Sequence, residues 1–354
     1  MNKKNKILLL LLFVGLIALS SCSLKPLKNI QYKEFENMED IDSDLIIVGF
    51  SQLGSESDWR TANTKSIQNA LISENGFSLI FANGRQKQEN QIKDVRSFIF
   101  QEVDYIVIAP VTETGWDTVL TEARDAGIPV VIVDRMIDTE DESLYAAVVG
   151  TDKHAEGMKA GIWLEKHLEK VKQASDASPD GSGTEYVEED VNIVILEGTI
   201  NSTAQIGRSQ GFDDIAKNHE NWNIIARESG DFTKAKGKEV MAKYLREFDD
   251  IDVLVSQNDD MTFGAIEAIQ EAGLTCGVNG DITIISFDAV SRAFDMMEEG
   301  LINVVIECNP LQGDLISEII ERLENGEEVP KISYVDGKVF EAENASIDRI
   351  GRSY

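Results

Sequence analysis

Histidine and cysteine are scarce in this sequence, with three residues of each in 354. Their spacing suggests no zinc site, and the turns at Asn83-Gly84 and Gly181-Ser182-Gly183 form neither a Walker loop nor a dinucleotide-binding fingerprint. We therefore expect no metal and no cofactor. Basic residues are also few, because 33 lysines and arginines stand against 63 aspartates and glutamates, which gives a formal charge of -30. So acidic a chain repels phosphate backbones, and nucleic acid is not an expected partner.

The first 22 residues have the pattern of a bacterial lipoprotein signal peptide. Three lysines among the first six residues precede an apolar run, Ile7–Ala18, that is too short to span a membrane. The tetrapeptide LSSC that follows resembles a lipobox, in which Cys22 is acylated and becomes the first residue of the mature chain. The alternative is a plain secretory signal with an incidental cysteine. We expect a protein outside the cytoplasm, anchored to the cell membrane through lipid on Cys22 and a polar tether, residues 23–44.

From Leu45 onward, short apolar runs alternate with segments of helical periodicity. This alternation predicts βαβ units and a parallel sheet with right-handed crossovers. The pattern occurs twice in succession, which predicts an α/β protein with two similar lobes. The helical segment Leu311–Asn325 could return to the first lobe, so that the chain would cross between the lobes more than once. The predicted ranges are 45–149 with 310–332 for the first lobe and 150–309 with 333–354 for the second.

Two features of the second lobe carry separate expectations. Residues Gln173–Asp190 are rich in serine, glycine and acidic side chains, which is typical of a mobile surface insertion. The acidic residues lack the spacing of a calcium-binding loop. Cys276 precedes one predicted strand and Cys308 follows another, so they lie at opposite ends of the sheet and too far apart for a disulfide. We expect both to be free thiols.

The first candidate site is the turn SESDWR at residues 55–60, between the strand Leu45–Phe50 and a helix. In a doubly wound sheet this turn lies at the carboxyl edge of the strands, where ligands bind. The ring of Trp59 offers a flat apolar face, and the charged groups of Glu56 and Arg60 accept and donate hydrogen bonds to hydroxyls. This combination suits a small polyhydroxylated molecule. The alternative is a polar loop with Trp59 packed as the first core residue of the helix.

Polar side chains also recur at the ends of later predicted strands. They are Asp134 and Arg135, Asn258 and Asp259, Asp288, and then Glu307 and Asn309. Each alone is weak support for a site, because polar residues are common wherever a chain turns. An adjacent aspartate and arginine nevertheless provide an acceptor and a forked donor, which suits vicinal hydroxyls.

The segment Gly207–Gly211 matches the pattern G-x-S-x-G, but its position does not suit a hydrolase. A nucleophile elbow needs its serine on the sharp turn directly after a strand. Here nine residues separate the segment from the strand that ends at Glu197, so we place it within a helix. An enzyme is not expected.

Several motifs occur in an order that resembles a known family. They are VGFSQ, SESDWR, NGRQKQENQIKDVRSF, IPVVIVDR, SGDFTKAKGKEVM, QNDDMTFGAIEAIQEAG and SFDAV, spread over Val48–Val290. Together they resemble the sugar-binding proteins of bacterial ABC importers, of the ribose/galactose type and above all the galactofuranose-binding branch. The likeness extends over about Leu45–Val335.

The resemblance implies the type I periplasmic-binding-protein fold, with two Rossmann-like lobes, three hinge crossings and a monosaccharide between the lobes. It also implies an ABC permease and ATPase as partners, and we expect a monomer. The ligand-binding residues that it implies are Glu56, Ser57, Asp58, Trp59, Arg60, Asp134, Arg135, Arg208, Asn258 and Asp288. Two departures from the branch are Asp58, where glycine is usual, and the acidic insertion. The alternative function is a sensor subunit that presents its sugar-bound form to a chemoreceptor or histidine kinase.

Overall fold

Runs of β-branched and aliphatic residues form two six-stranded sheets in the part of the chain that the computed structural model describes, residues 45–55, 57–176, 190–352 and 354. Leu45–Tyr354 is a compact unit by itself. The predicted signal peptide with Cys22, the tether, Glu56 and residues 177–189 of the insertion lie outside the described residues. Within those described ranges, no helix has the length and apolar character needed to cross a membrane.

The first sheet is parallel throughout. Its three central strands, Tyr105–Ile108, Val130–Val133 and Ala147–Gly150, are buried along their whole length because helices cover both faces, which explains continuous apolar runs such as VVIV at Val130–Val133. In spatial order the strands are β11 (Ile332–Tyr334), β5 (Ala147–Gly150), β4 (Val130–Val133), β3 (Tyr105–Ile108), β1 (Ile46–Gln52) and β2 (Phe77–Asn83). One face is covered by α1 (Asp58–Ala70) and α9 (Gly313–Glu324), and the other by α2 (Gln88–Phe100) and α3 (Asp117–Asp125).

The second sheet repeats this plan, except that one edge strand is antiparallel. In spatial order the strands are β12 (Val339–Glu341), β10 (Val304–Glu307), β9 (Thr283–Asp288), β8 (Val253–Ser256), β6 (Val191–Glu197) and β7 (Trp222–Ser229). One face is covered by α4 (Lys153–Asp176) and α5 (Thr203–Ala216), and the other by α6 (Lys234–Glu247), α7 (Asp259–Glu271) and α8 (Ser291–Glu298). A short helix, α10 (Ala345–Asp348), follows β12.

The chain passes between the two sheets three times: after Gly150, between Glu307 and Gly313, and after Tyr334. The predicted α/β fold with two parallel lobes and a three-crossing hinge is confirmed. The helix after the second crossing packs on the first lobe, where the Gly313 N–H donates to Ser66 Oγ at 3.0 Å. The boundary predicted between residues 332 and 333 falls inside β11, which pairs with β5 through Tyr334. The third crossing therefore begins two residues later than predicted.

The strand β12 was not predicted, because it has only three residues and just one of them is buried. Cys276 and Cys308 are both buried and free, as predicted.

The helices α4 and α5 approach each other closely because glycines lie between them. A Cβ atom on Gly211 would lie 2.1 Å from the carbonyl oxygen of His154. A Cβ atom on Gly157 would lie 2.3 Å from the carbonyl oxygen of Arg208. The backbones of α4 and α5 are therefore in direct contact, and this contact fixes the position of the Arg208 backbone.

We expect Gly211→Ala to lower the free energy of unfolding by about 1–3 kcal/mol, as overpacking does. The loss should occur although alanine favours a helix more than glycine does. Urea unfolding measures it, with Lys166→Ala at an exposed position of α4 as the control, expected to change stability by less than about 0.5 kcal/mol. Equal stability of Gly211→Ala and the parent chain would contradict the close packing of these helices.

Candidate functional site

A cavity lies where the carboxyl ends of the two sheets face each other, which is the usual ligand position in open α/β folds. The space there that holds no protein atom measures about 290 Å³, solvent at its mouth included. The lining residues are Ser57, Trp59, Arg60, Asp134, Arg135, Lys153, Ala204, Arg208, Phe232, Asn258, Asp288 and Cys308.

Asp134 is the central acceptor on the first-lobe side. It follows β4, and its carboxylate accepts hydrogen bonds from Arg60 of α1 and, at 3.0 Å, from the Lys153 ammonium at the start of α4. The Arg135 guanidinium lies 4.0 Å away. Burial alone would raise the pKa of Asp134, but Lys153, Arg60 and Arg135 together hold it well below its usual range. The carboxylate is therefore ionised and keeps acceptor capacity toward the cavity.

Arg208 has the corresponding position on the second-lobe side. From the second turn of α5 its guanidinium donates to Glu156 at 2.8 Å, to Asp288 at 3.2 Å and to the carbonyl oxygen of Gln257. Burial would lower the pKa of Arg208, but Glu156 and Asp288 raise it, so the group is charged. Its position is thus set by two carboxylates and one backbone oxygen.

Two aromatic rings provide the apolar surface of the cavity. Trp59 is only 3% exposed, and its indole N–H donates to the carbonyl oxygen of Cys308 across the cleft. The ring also packs against the hydrophobic core of the second lobe. Phe232, from the loop after β7, lies with its ring centre 5.6 Å from the Arg135 guanidinium. The two expectations for Trp59, a ligand surface or a core residue, are therefore compatible.

Three residues of the cavity have left-handed backbone conformations that non-glycine residues rarely adopt. The φ angles are 65° at Asp134, 57° at Phe232 and 106° at Asp288. Such conformations cost on the order of 1–3 kcal/mol each and concentrate at functional sites. The backbone N–H of Asp134 donates to the Val149 carbonyl at 2.7 Å, and this hydrogen bond holds the strained turn in place. The sharp turns place these residues at the cavity.

The charged groups around the cavity are paired with one another. Four cations, Arg60, Arg135, Lys153 and Arg208, are interleaved with the three carboxylates Asp134, Glu156 and Asp288. A charged ligand would compete with these internal pairs. A neutral molecule with several hydroxyls can accept from the cations and donate to the carboxylates while the pairs stay in place.

The family of the chain shows what kind of protein carries this site. The profile of the family described as periplasmic binding protein domain matches residues 48–328. The chain belongs to this family. It is 41% identical over 289 residues to the galactofuranose-binding protein YtfQ of Escherichia coli K12. The aligned region covers 81% of this chain and 84% of that protein.

Solved structures of relatives have the same fold. The periplasmic binding protein of the arabinose ABC transporter from Shewanella sp. ANA-3, bound to α- and β-L-arabinofuranose, aligns with a TM-score of 0.77 at 41% identity over 85% of this chain and 94% of that one. A Mycobacterium smegmatis protein in complex with β-D-fucofuranose aligns with a TM-score of 0.77 at 40% identity, over 85% of this chain and 93% of that one.

As a periplasmic binding protein, this chain is extracytoplasmic and binds a solute without transforming it, so the expectation that it is not an enzyme is confirmed. The G-x-S-x-G segment lies within α5, as predicted. Its Ser209 hydroxyl donates to Glu197 and accepts from Gln257, at 2.8 Å each. The described residues hold no cluster of histidine, cysteine and acidic side chains suited to a metal ion.

The structure brings eight of the ten predicted ligand residues together at the cavity. They are Ser57, Trp59, Arg60, Asp134, Arg135, Arg208, Asn258 and Asp288. The side chain of Asp58 is exposed and does not line the cavity, and its backbone N–H donates to Asp260 in the second lobe at 3.0 Å. The remaining one, Glu56, is outside the described residues.

Two of the eight also have structural tasks. Ser57 caps the amino-terminal end of α1, where its side chain accepts from the Arg60 N–H at 3.1 Å. Asn258 caps the amino-terminal end of α7. Its side chain accepts from the Met261 N–H at 2.9 Å and donates to the Phe232 carbonyl at 3.2 Å. The amide of Asn258 therefore holds the Phe232 loop at the cavity.

Four lining residues were not singled out as site residues from the sequence: Lys153, Ala204, Phe232 and Cys308. Lys153 Nζ lies 3.0 Å from both Asp134 Oδ1 and Cys308 Sγ, and burial raises the pKa of the Cys308 thiol to about 12. Both residues lie next to hinge crossings, where residues distant in the chain meet at the cavity. Phe232 lies in the motif SGDFTKAKGKEVM, which was the available signal for it.

We expect Asp288 to make stability depend on pH. Burial raises its pKa to about 7 although Arg208 and Lys153 oppose the rise. Between about pH 4 and about pH 7 the unfolded chain loses this proton while the folded chain keeps it, so the residue lowers the free energy of unfolding as pH rises. Asp288→Asn removes that contribution. Urea unfolding across this range should show that, as pH rises, the free energy of unfolding of the variant increases relative to that of the parent chain, by at most about 1.4 kcal/mol per pH unit. A difference that stays constant with pH would contradict this.

Proposed function

We propose that this chain is the sugar-binding receptor of a bacterial ABC importer and that its ligand is a neutral monosaccharide, with a furanose as the first candidate. The observation that carries the proposal is the cavity, in which paired charged groups and two aromatic rings offer donors, acceptors and apolar faces. The names of relatives point the same way. YtfQ is named for galactofuranose, and the two solved relatives were bound to arabinofuranose and fucofuranose.

The sugar would lie between the aromatic rings of Trp59 and Phe232, with its hydroxyls directed to the charged groups. Asp134 would accept from hydroxyls, and Arg135 and Arg208 would donate to them from opposite lobes. Exclusion of water between the lobes strengthens such hydrogen bonds. Arg60, Asn258 and Asp288 complete the proposed contacts, and Ser57 lies at the same cavity edge.

The hinge would couple this binding to transport. The proposed lobes are 45–149 with 310–334, and 150–309 with 335–354, joined by the three crossings. Rotation about these crossings would open and close the cavity, and the closed form would be the one that the permease and its ATPase recognise. We further propose that the receptor is a monomer. Lipid on Cys22 would hold it at the membrane, with residues 23–44 as the tether between that lipid and the lobes.

Calorimetry on the chain from Ser23 tests the proposal, since Leu45–Tyr354 is a compact unit by itself. The neutral panel is D-galactose, L-arabinose, D-fucose, D-ribose and D-glucose. Matched charged probes are D-galacturonate and D-galactose 6-phosphate. We expect a neutral sugar to bind with Kd below about 10 μM and its charged analogue to bind at least about 100-fold more weakly. A folded protein that binds no sugar, or prefers a charged analogue, would overturn the proposal.

A further inference from the structure

One threonine joins the two lobes outside the cavity. Thr203 is the first residue of α5 in the second lobe. Its hydroxyl accepts from the backbone N–H of Met136 at 2.7 Å and donates to Glu113 Oε1 at 2.6 Å. Met136 follows β4 and Glu113 follows β3, so both partners belong to the first lobe. A single hydroxyl thus uses its donor and its acceptor in the same interlobe contact.

The first-lobe partners of this threonine are held to each other. The backbone N–H of Asp138 donates to the carbonyl oxygen of Glu113 at 2.7 Å, which ties the loop after β4 to the loop after β3. Thr203 therefore meets a prearranged donor and acceptor rather than two independent loops. The entropy cost of forming both bonds is correspondingly small.

The contact also acts on α5, which bears Arg208. The Glu113 carboxylate lies at the amino-terminal end of this helix, where a negative charge is favoured by the helix dipole. Arg208 follows Thr203 by five residues on the same helix. Docking the start of α5 on the first lobe therefore brings Arg208 toward Asp134 and Arg135 without any contact to a ligand.

We propose that Glu113, Thr203 and Met136 form an interlobe latch that stabilises the closed form independently of the ligand. The bonds exist only while the lobes are together, and none of the three residues lines the cavity. The apparent Kd equals the intrinsic Kd divided by the closed fraction, so a change in the latch alters affinity for every ligand by the same factor. Changes at cavity residues instead alter the preference between ligands. The affinity readout rests on the proposed sugar-binding function.

Thr203→Val tests the latch, because it replaces the hydroxyl with a methyl group of similar size and keeps a β-branched residue at the start of α5. We expect the Kd values for two different sugars of the panel to rise by the same factor, about tenfold, as expected when a hydrogen bond to a charged group is lost. Thr203→Ser retains the hydroxyl and should stay within about twofold of the parent chain. The double variant Glu113→Ala/Thr203→Val should have Kd values close to those of Thr203→Val alone, since both substitutions remove the same contact.

A second readout needs no sugar. Dyes on Lys93→Cys in α2 and Asn218→Cys after α5 report interlobe distance by single-molecule energy transfer, because Cys276 and Cys308 are buried. We expect Thr203→Val to reduce the closed fraction about tenfold. If the parent chain binds no sugar yet loses its closed fraction with Thr203→Val, the proposed function fails and the latch stands. Unchanged Kd values, factors that differ between sugars, or an unchanged closed fraction would overturn the latch.

Discussion

Arg135→Ala should abolish sugar binding while leaving the fold intact. The guanidinium lies at the cavity, donates to the Val111 carbonyl at 3.0 Å and flanks the Phe232 ring. Removing one partner of a buried charged hydrogen bond costs about 2–5 kcal/mol, so the Kd should rise by about 30-fold or more. Asp134 keeps Arg60 and Lys153 as partners, and the folded state therefore keeps its main ion pairs. Calorimetry measures the loss, and circular dichroism should be unchanged.

Two variants sharpen the interpretation of this result. Arg96→Ala removes an arginine whose ion pair with Glu122 is exposed on the surface, and it should leave the Kd unchanged. Arg135→Lys keeps the charge but loses the forked donor, so it should bind nearly as poorly as Arg135→Ala. Binding by Arg135→Ala with the affinity of the parent chain would show that the sugar lies elsewhere.

Arg208→Ala should produce the largest loss of stability among single substitutions at the site. It leaves the carboxylates of Glu156 and Asp288 buried without their shared cation. Breaking a buried ion pair in this way costs about 3–5 kcal/mol. Urea unfolding without sugar measures the loss, so the result does not depend on the identity of the ligand. Sugar binding should be lost as well, because Arg208 is the proposed donor from the second lobe.

The comparison for this variant is Arg227→Ala. Arg227 pairs with Asp213 and is 28% exposed, so its removal should cost at most about 1 kcal/mol. Similar losses for the two variants, or an Arg208→Ala chain within about 1 kcal/mol of its parent, would mean that the buried pairs contribute little. Glu156 and Asp288 would then not be the groups that hold Arg208 in place.

The fold could be predicted from sequence because its signals are local. Apolar runs such as VVIV at Val130–Val133 are short, bounded and followed by helical periodicity, so strand, helix and parallel pairing follow from neighbouring residues. The edge strand Val339–Glu341 lacked such a signal, since a three-residue strand with one buried side chain resembles a loop.

The site was predictable in part. Asp134 directly follows β4, Asp288 ends β9, and Arg60 lies in the first turn of the helix after β1, so all three lie near the carboxyl ends of strands, where ligand-binding loops are expected. Lys153 and Cys308 did not stand out, because their importance depends on a contact between residues 155 apart in the chain. The double role of Trp59 was also hidden, since its core partners lie in the other lobe. Interlobe contacts are the part of the site that local sequence cannot show.

A crystal structure of the chain from Ser23 with its tightest-binding sugar tests the proposed binding site most directly. We predict one sugar ring between Trp59 and Phe232, with hydroxyls within hydrogen-bond distance of Asp134, Arg135 and Arg208. We also predict that the sugar carries no net charge. A sugar bound outside this cavity, or held there without contact to either arginine, would contradict the proposed site.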